Sequence, residues 1–159
     1  MYTRQKRLVA TANQQGLFPA GQVVKLTGIS RQTLHFWSAT GFLQATQEAQ
    51  GTGKWRLYSF KDIVALRTAK RLRDAGISLQ GLRKVIATLQ TVHNLEHPLA
   101  ETYLVTDGYD VYQVVEGGET LLSLLRQPGQ GAFSIVIDLS EVVRELHEAI
   151  EKAKIPAAS

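Results

Sequence analysis

The sequence predicts an α+β protein, and three observations lead to that class. Two short helical runs, 20–27 and 31–39, are separated by Thr27-Gly28-Ile29. A Gly51-Thr52-Gly53 tract is followed by large residues alternating at strand spacing through Tyr58. Beyond Pro98 the chain turns to short apolar segments around Asp107-Gly108 and finishes in an amphipathic helix.

Residues 1–16 are polar and basic, with Arg4, Lys6 and Arg7, and are expected to form an N-terminal arm. Pro19 suits the entry to a helix over Ala20 to Thr27, which Gly28 stops. Ser30 is a good N-cap for a second helix from Arg31 to about Ala39, and the spacing is that of a helix-turn-helix. Residues 43–58 read as a small hairpin with a glycine-rich tip. Ser59 caps a third helix that carries Phe60, Ile63, Val64 and Leu72 and stops at Gly76. Ser78 caps a fourth, in which Leu79, Leu82, Val85, Ile86 and Leu89 keep the 3.6-residue period to about Leu95.

Past the His97-Pro98 break, Tyr103–Val105 and Val111–Val115 flank the Asp107-Gly108 turn as two strands. Leu121–Leu125 fits either helix or strand, and Phe133–Ile137 reads as a buried strand. Ser140 is the expected cap of a last helix with Val142, Val143, Leu146, Ala149 and Ile150 on one face. The organisation is therefore an arm (1–16), a helix-turn-helix unit with its hairpin (17–95) and a small α+β segment with a β-hairpin and a C-terminal helix (96–159).

Composition narrows the function. The 159 residues contain no cysteine, which excludes disulfides, thiolate metal sites and a cysteine nucleophile. No run of about 18 apolar residues is present, and Leu8-Val9-Ala10 is too short for a secretory signal core. A cytoplasmic protein without membrane contact is expected. The net charge of +4 conceals an asymmetry. Residues 1–95 hold 14 Lys and Arg against 3 Asp and Glu, whereas residues 96–159 hold 4 against 11. A basic half of this strength suggests a polyanionic partner, with nucleic acid ahead of a membrane surface.

Residues 17–90 resemble the winged helix-turn-helix domain of the MerR family of bacterial transcription regulators. The resemblance is carried by Gly21-Gln22-Val23-Val24-Lys25-Leu26-Thr27-Gly28-Ile29-Ser30, Thr33-Leu34, Phe36-Trp37 and Thr40-Gly41-Phe42-Leu43. It continues through Trp55-Arg56-Leu57-Tyr58-Ser59, Asp62-Ile63 and Leu72-Arg73-Asp74-Ala75-Gly76-Ile77-Ser78-Leu79. It implies double-stranded DNA as the partner, a recognition helix at about 30–39 and a wing at about 43–58. A homodimer on a two-fold site is also implied, as are RNA polymerase or a small-molecule effector as further partners. The protein would associate with the nucleoid when bound.

The residue chemistry agrees. A helix capped by Ser30 offers first-turn amides to a phosphate. Arg31, Gln32 and Thr33 lie where a recognition helix meets base edges. His35 and Gln32 replace the basic residues most usual in the family, and Phe36 lacks a tyrosine hydroxyl. Lys54 and Arg56 beside the wing tip are phosphate candidates, and the resemblance makes Tyr58 the wing tyrosine. The expected DNA-binding set is therefore Ser30, Arg31, Gln32, Thr33, His35, Phe36, Lys54, Arg56 and Tyr58. Phe36 reads equally as core, Tyr58 equally as a cover for the wing base, and Trp37 as core. Lys70, Arg71 and Arg73 read as a solvated helix face.

Other signals fail. Gly51-Thr52-Gly53-Lys54 lacks the Gly at 48 and the Ser or Thr at 55 that a phosphate loop needs. His93 and His97 stand at i, i+4, but Pro98 breaks that helix, so no metal is assigned. No catalytic triad signature is present, and neither an enzyme nor a cofactor is expected.

Family members usually continue into a long dimerising helix, whereas residues 79–95 would span roughly 25 Å. The face at 142–150 and the strand at 133–137 are candidates for a dimer contact, or else simply close the segment's own core. Two functions from different classes follow. The first is a dimeric, sequence-specific transcriptional regulator. The second is an antitoxin-like interaction protein whose acidic segment binds a partner while the winged helix serves autoregulation.

Overall fold

A computed structural model describes residues 16–47, 56–91, 97–108, 110–115, 120–124 and 135–154. Strand β1 (Leu17–Pro19) leads directly into α1 (Ala20–Thr27), and α2 (Arg31–Ala39) follows. Strand β2 (Leu57–Ser59) enters α3 (Phe60–Asp74), then α4 (Leu79–Thr91) and a single helical turn, α5 (Pro98–Glu101). The remainder is β3 (Leu104–Thr106), β4 (Val111–Val115), β5 (Thr120–Ser123), β6 (Ile135–Ile137) and α6 (Leu139–Lys154). The expected α+β class is what the chain adopts.

The helix-turn-helix is built as its sequence dictates. Gly28 takes φ 77°, the left-handed conformation that glycine adopts without a steric penalty, and its amide bonds the Val24 carbonyl. Thr27 fastens the turn: its hydroxyl donates to Val23 O at 2.7 Å and accepts from the Ile29 amide at 3.1 Å. Ser30 caps α2 by accepting the Thr33 amide at 3.1 Å. A Cβ at position 28 would lie 3.1 Å from Lys70 Cε, so the turn runs close against α3.

Helix α3 is the hub. Its buried residues, Phe60 to Leu72, surround the helix instead of forming one stripe, because α1, α4, α5, α6 and β2 all pack on it. Ser59 and Asp62 form a reciprocal capping box at its start. One continuous hydrophobic cluster runs from Phe18 through Trp37, Phe60 and Leu82 to Leu146 and Ile150.

Two sheets complete the fold. Strands β1 and β2 pair antiparallel with Phe18 opposite Tyr58. The second sheet has the antiparallel order β5-β4-β3-β6, with the Asp107-Gly108 turn joining β3 to β4. Residues 121–123 resolve as strand, settling that ambiguity.

Some details differ from the sequence reading. Strand β1 was not foreseen, and Pro98 opens a helical turn instead of only ending the preceding helix. The cap of α6 is Asp138, not Ser140: its carboxylate accepts the Ser140 amide at 2.9 Å. The apolar face of α6 is not available for a second chain. Val142, Val143, Leu146 and Ile150 are buried in this chain's own core. The arm (1–15), the wing tip (48–55) and the continuation of α4 to residue 95 lie outside the described residues.

Candidate nucleic-acid interface

The outer face of α2 carries Arg31, Gln32, His35 and Phe36, all exposed, while Leu34 and Trp37 point into the core. Phe36, at 51% exposure, is therefore a surface residue, which resolves its two readings, and Trp37 is core. Exposing a large aromatic ring to water leaves burial free energy unrealised, and an apolar contact with a partner recovers it. Trp37 instead stacks edge-on against Phe42 at 5.1 Å.

The Ser30 cap does two things. It takes up the Thr33 amide, and its hydroxyl bonds the Thr33 hydroxyl at 2.9 Å. Helix geometry leaves the amides of Arg31 and Gln32 without intrahelical acceptors, facing the end of the helix where an anion docks. The Arg31 guanidinium lies back toward α1, with Nη2 3.2 Å from where a Cβ on Gly21 would sit. In front of α2 is a cleft of about 740 Å³, lined by Gln32, Thr33, His35 and Phe36 together with Lys70 and Arg73 of α3.

The flanking segment is closed at its base and tied to α3. Gln47 and Leu57 exchange backbone hydrogen bonds of 3.0 and 2.8 Å, which closes the base of the 43–58 segment. Asp62 of the α3 capping box also accepts the amide of Thr46 at 2.9 Å and the Thr46 hydroxyl. Beside them, Arg56 Nη1 lies 3.2 Å from His35 Nδ1, a direct link from the segment to α2.

Of the nine expected residues, Ser30, Arg31, Gln32, Thr33, His35 and Phe36 lie together on α2 and its cap, with Arg56 adjacent. Lys54 lies outside the described residues. Tyr58 requires a correction. Its side chain has no exposed surface and belongs to the core beneath β1 and β2, so it cannot touch DNA in this conformation. In β2 it pairs with Phe18 of β1, a strand unseen in the sequence.

The basic run on α3 keeps Arg73 exposed and Lys70 in a surface pair, as a solvated face would, while Arg71 departs from that reading. Lys70 pairs with Asp74 at 3.0 Å, and Arg73 donates to the Ile77 carbonyl. Arg67 and Arg71 both bond the same oxygen of Glu145 on α6, each at 2.7 Å. Arg67 further donates to Leu26 O in α1 at 2.7 Å. Burial alone would raise the Glu145 carboxyl, but the Arg71 and Arg67 guanidinium charges and hydrogen bonds outweigh it and hold it below the usual range. Sequence reading missed this knot and the Thr46–Asp62 anchor. The Ser59-x-x-Asp62 spacing signals only the capping box, and no local signal marks either long-range contact.

A short α1, a tight glycine turn and a capped α2 with an exposed polar face define a helix-turn-helix, the unit that many DNA-reading proteins use. Residues 18–89 match the family described as MerR HTH family regulatory protein. Among similar proteins, the uncharacterized HTH-type transcriptional regulator Rv1830 of Mycobacterium tuberculosis is 34% identical over 152 residues, which is 84% of this chain. The match covers 66% of that relative's length. A Streptomyces coelicolor protein named HspR is 33% identical over 85 residues, 53% of this chain and 54% of its own. The transcriptional regulator GlnR of Bacillus cereus is 31% identical over 70 residues, 44% and 52% respectively. Similarity to the mycobacterial protein thus extends well past the helix-turn-helix.

Proposed function

We propose that this chain is a sequence-specific DNA-binding regulator of transcription that binds a two-fold site as a dimer. Helix α2 enters the major groove with Arg31, Gln32 and His35 toward base edges, and the segment at 43–58 lies along the flanking backbone as a wing. The observation that carries the reading is the polar, unpaired-end face of α2 exposed beside Arg56 in a MerR-type domain. One such module covers only about 600–1,000 Å² of its surface on DNA, so a second copy supplies the area and symmetry that tight binding needs.

Selection of bound DNA from a random pool with the full chain tests this. The expected product is a pair of inverted half-sites with fixed spacing. A single asymmetric site would exclude the two-fold dimer, and no enrichment would exclude sequence-specific binding. A salt series on the selected site should give a log–log slope of roughly −0.9 per phosphate neutralised. A flat response, or unchanged affinity in Arg56→Ala, would remove the wing from the interface.

A further inference from the structure

We propose that Arg56 fixes the tautomer of His35, making His35 a hydrogen-bond donor that selects against cytosine at one position of each half-site. This deepens the reading of α2 as a recognition helix and rests on it. A guanidinium can only donate hydrogen bonds, so the 3.2 Å contact between Arg56 Nη1 and His35 Nδ1 requires Nδ1 to be the acceptor. A neutral imidazole that accepts at Nδ1 carries its proton on Nε2. The exposed ring, which lines the cleft with Gln32 and Thr33, then carries an N–H for a partner.

The base edges respond to that choice. In the major groove guanine offers N7 and O6, adenine N7 and thymine O4 as acceptors, whereas cytosine presents an amino donor. A donor at position 35 is satisfied by the first three and faces another donor at the fourth. His35 is thus the specificity-determining residue. Arg56, reaching it from 21 positions further along the chain, is a positioning residue. The wing base and the reading helix act as one unit, and the identity of residue 56 should be felt in the base preference of residue 35.

Two measurements test this. An imidazole ¹⁵N–¹H spectrum of the free full chain at neutral pH should show His35 protonated at Nε2. Arg56→Met, which keeps the aliphatic reach and removes the donors, should shift His35 toward a mixture of tautomers. Random-pool selection with wild type, His35→Ala and Arg56→Met should show cytosine disfavoured roughly 5–10-fold at one position per half-site. Both variants should relax that same position and keep the others. An Nδ1-protonated ring, or an unchanged base preference in Arg56→Met, overturns the proposal while leaving the regulator reading intact. Failure of every protein to select DNA overturns the regulator reading itself, and the base-reading role of His35 with it.

Discussion

Arginines on neighbouring helices have opposite fates. On α2, Arg31 stands exposed beside Gln32, His35 and Phe36. On α3, Arg67 and Arg71 turn away and share one oxygen of Glu145, each about a quarter exposed. The strongly basic balance of residues 1–95 therefore overstates the charge that can meet a polyanion. Part of it is consumed inside the chain, and the acidic segment does part of the consuming. Charge along a sequence indicates which partner class to consider, but only the fold decides which cations remain to meet it.

The comparison can be broken or sharpened by substitution. The largest effect is expected where α6 seals the core. Leu146→Ala removes a side chain with no exposed surface and should cost about 2–5 kcal/mol of stability in chemical denaturation. A loss below about 1 kcal/mol would show that α6 is not integral to the core.

Glu145→Ala comes next, at about 1–3 kcal/mol, because it strands two partly buried guanidinium groups. The effect should depend on pH. The carboxyl's folded value is depressed, so its contribution is complete above the ordinary carboxylate range and fades as pH falls through the folded value. Thermal melts of wild type and Glu145→Gln should converge on acidification, and a constant gap would assign the effect to packing.

On the open face, Gln32→Ala should weaken specific DNA binding by about 1–3 kcal/mol while leaving the melting temperature nearly unchanged. A gel-shift titration paired with a melt separates the two. The smallest effect belongs to the exposed Arg144–Glu148 pair, where Arg144→Ala should change stability by less than about 0.5 kcal/mol. A larger value would mean that α6 has a partner on its outer face.

Local signals were legible and long-range partnerships were not. Gly28 and Ser30 mark the ends of α1 and α2 because a left-handed residue and a hydroxyl cap act within one turn of chain. Asp107-Gly108 announces the β3–β4 turn for the same reason. Strand β1 escaped notice because three residues carry no period, and without it the two readings of Tyr58, contact or cover, stay open. Ser140 and Asp138 are both competent caps, and only the observed start of α6 at Leu139 chooses between them. On α2, alternation of buried and exposed positions separates Trp37 from Phe36. The sequence pattern alone left Phe36 open, since adjacent residues lie about 100° apart on a helix and the width of the buried stripe is set by what packs against it.

The knot at Glu145 also has a bearing on the order in which the protein is made. Arg67 and Arg71 precede their partner by 78 and 74 positions. At a synthesis rate of about 5–20 residues per second, they wait roughly 4–16 s for that carboxylate to be joined to the chain. Until then the back of the helix-turn-helix is uncovered and Leu26 O is held by an arginine with no counter-charge from α6. The helix-turn-helix is thus braced only when a helix encoded much later arrives, so a nascent chain displays α2 before it can hold it rigid.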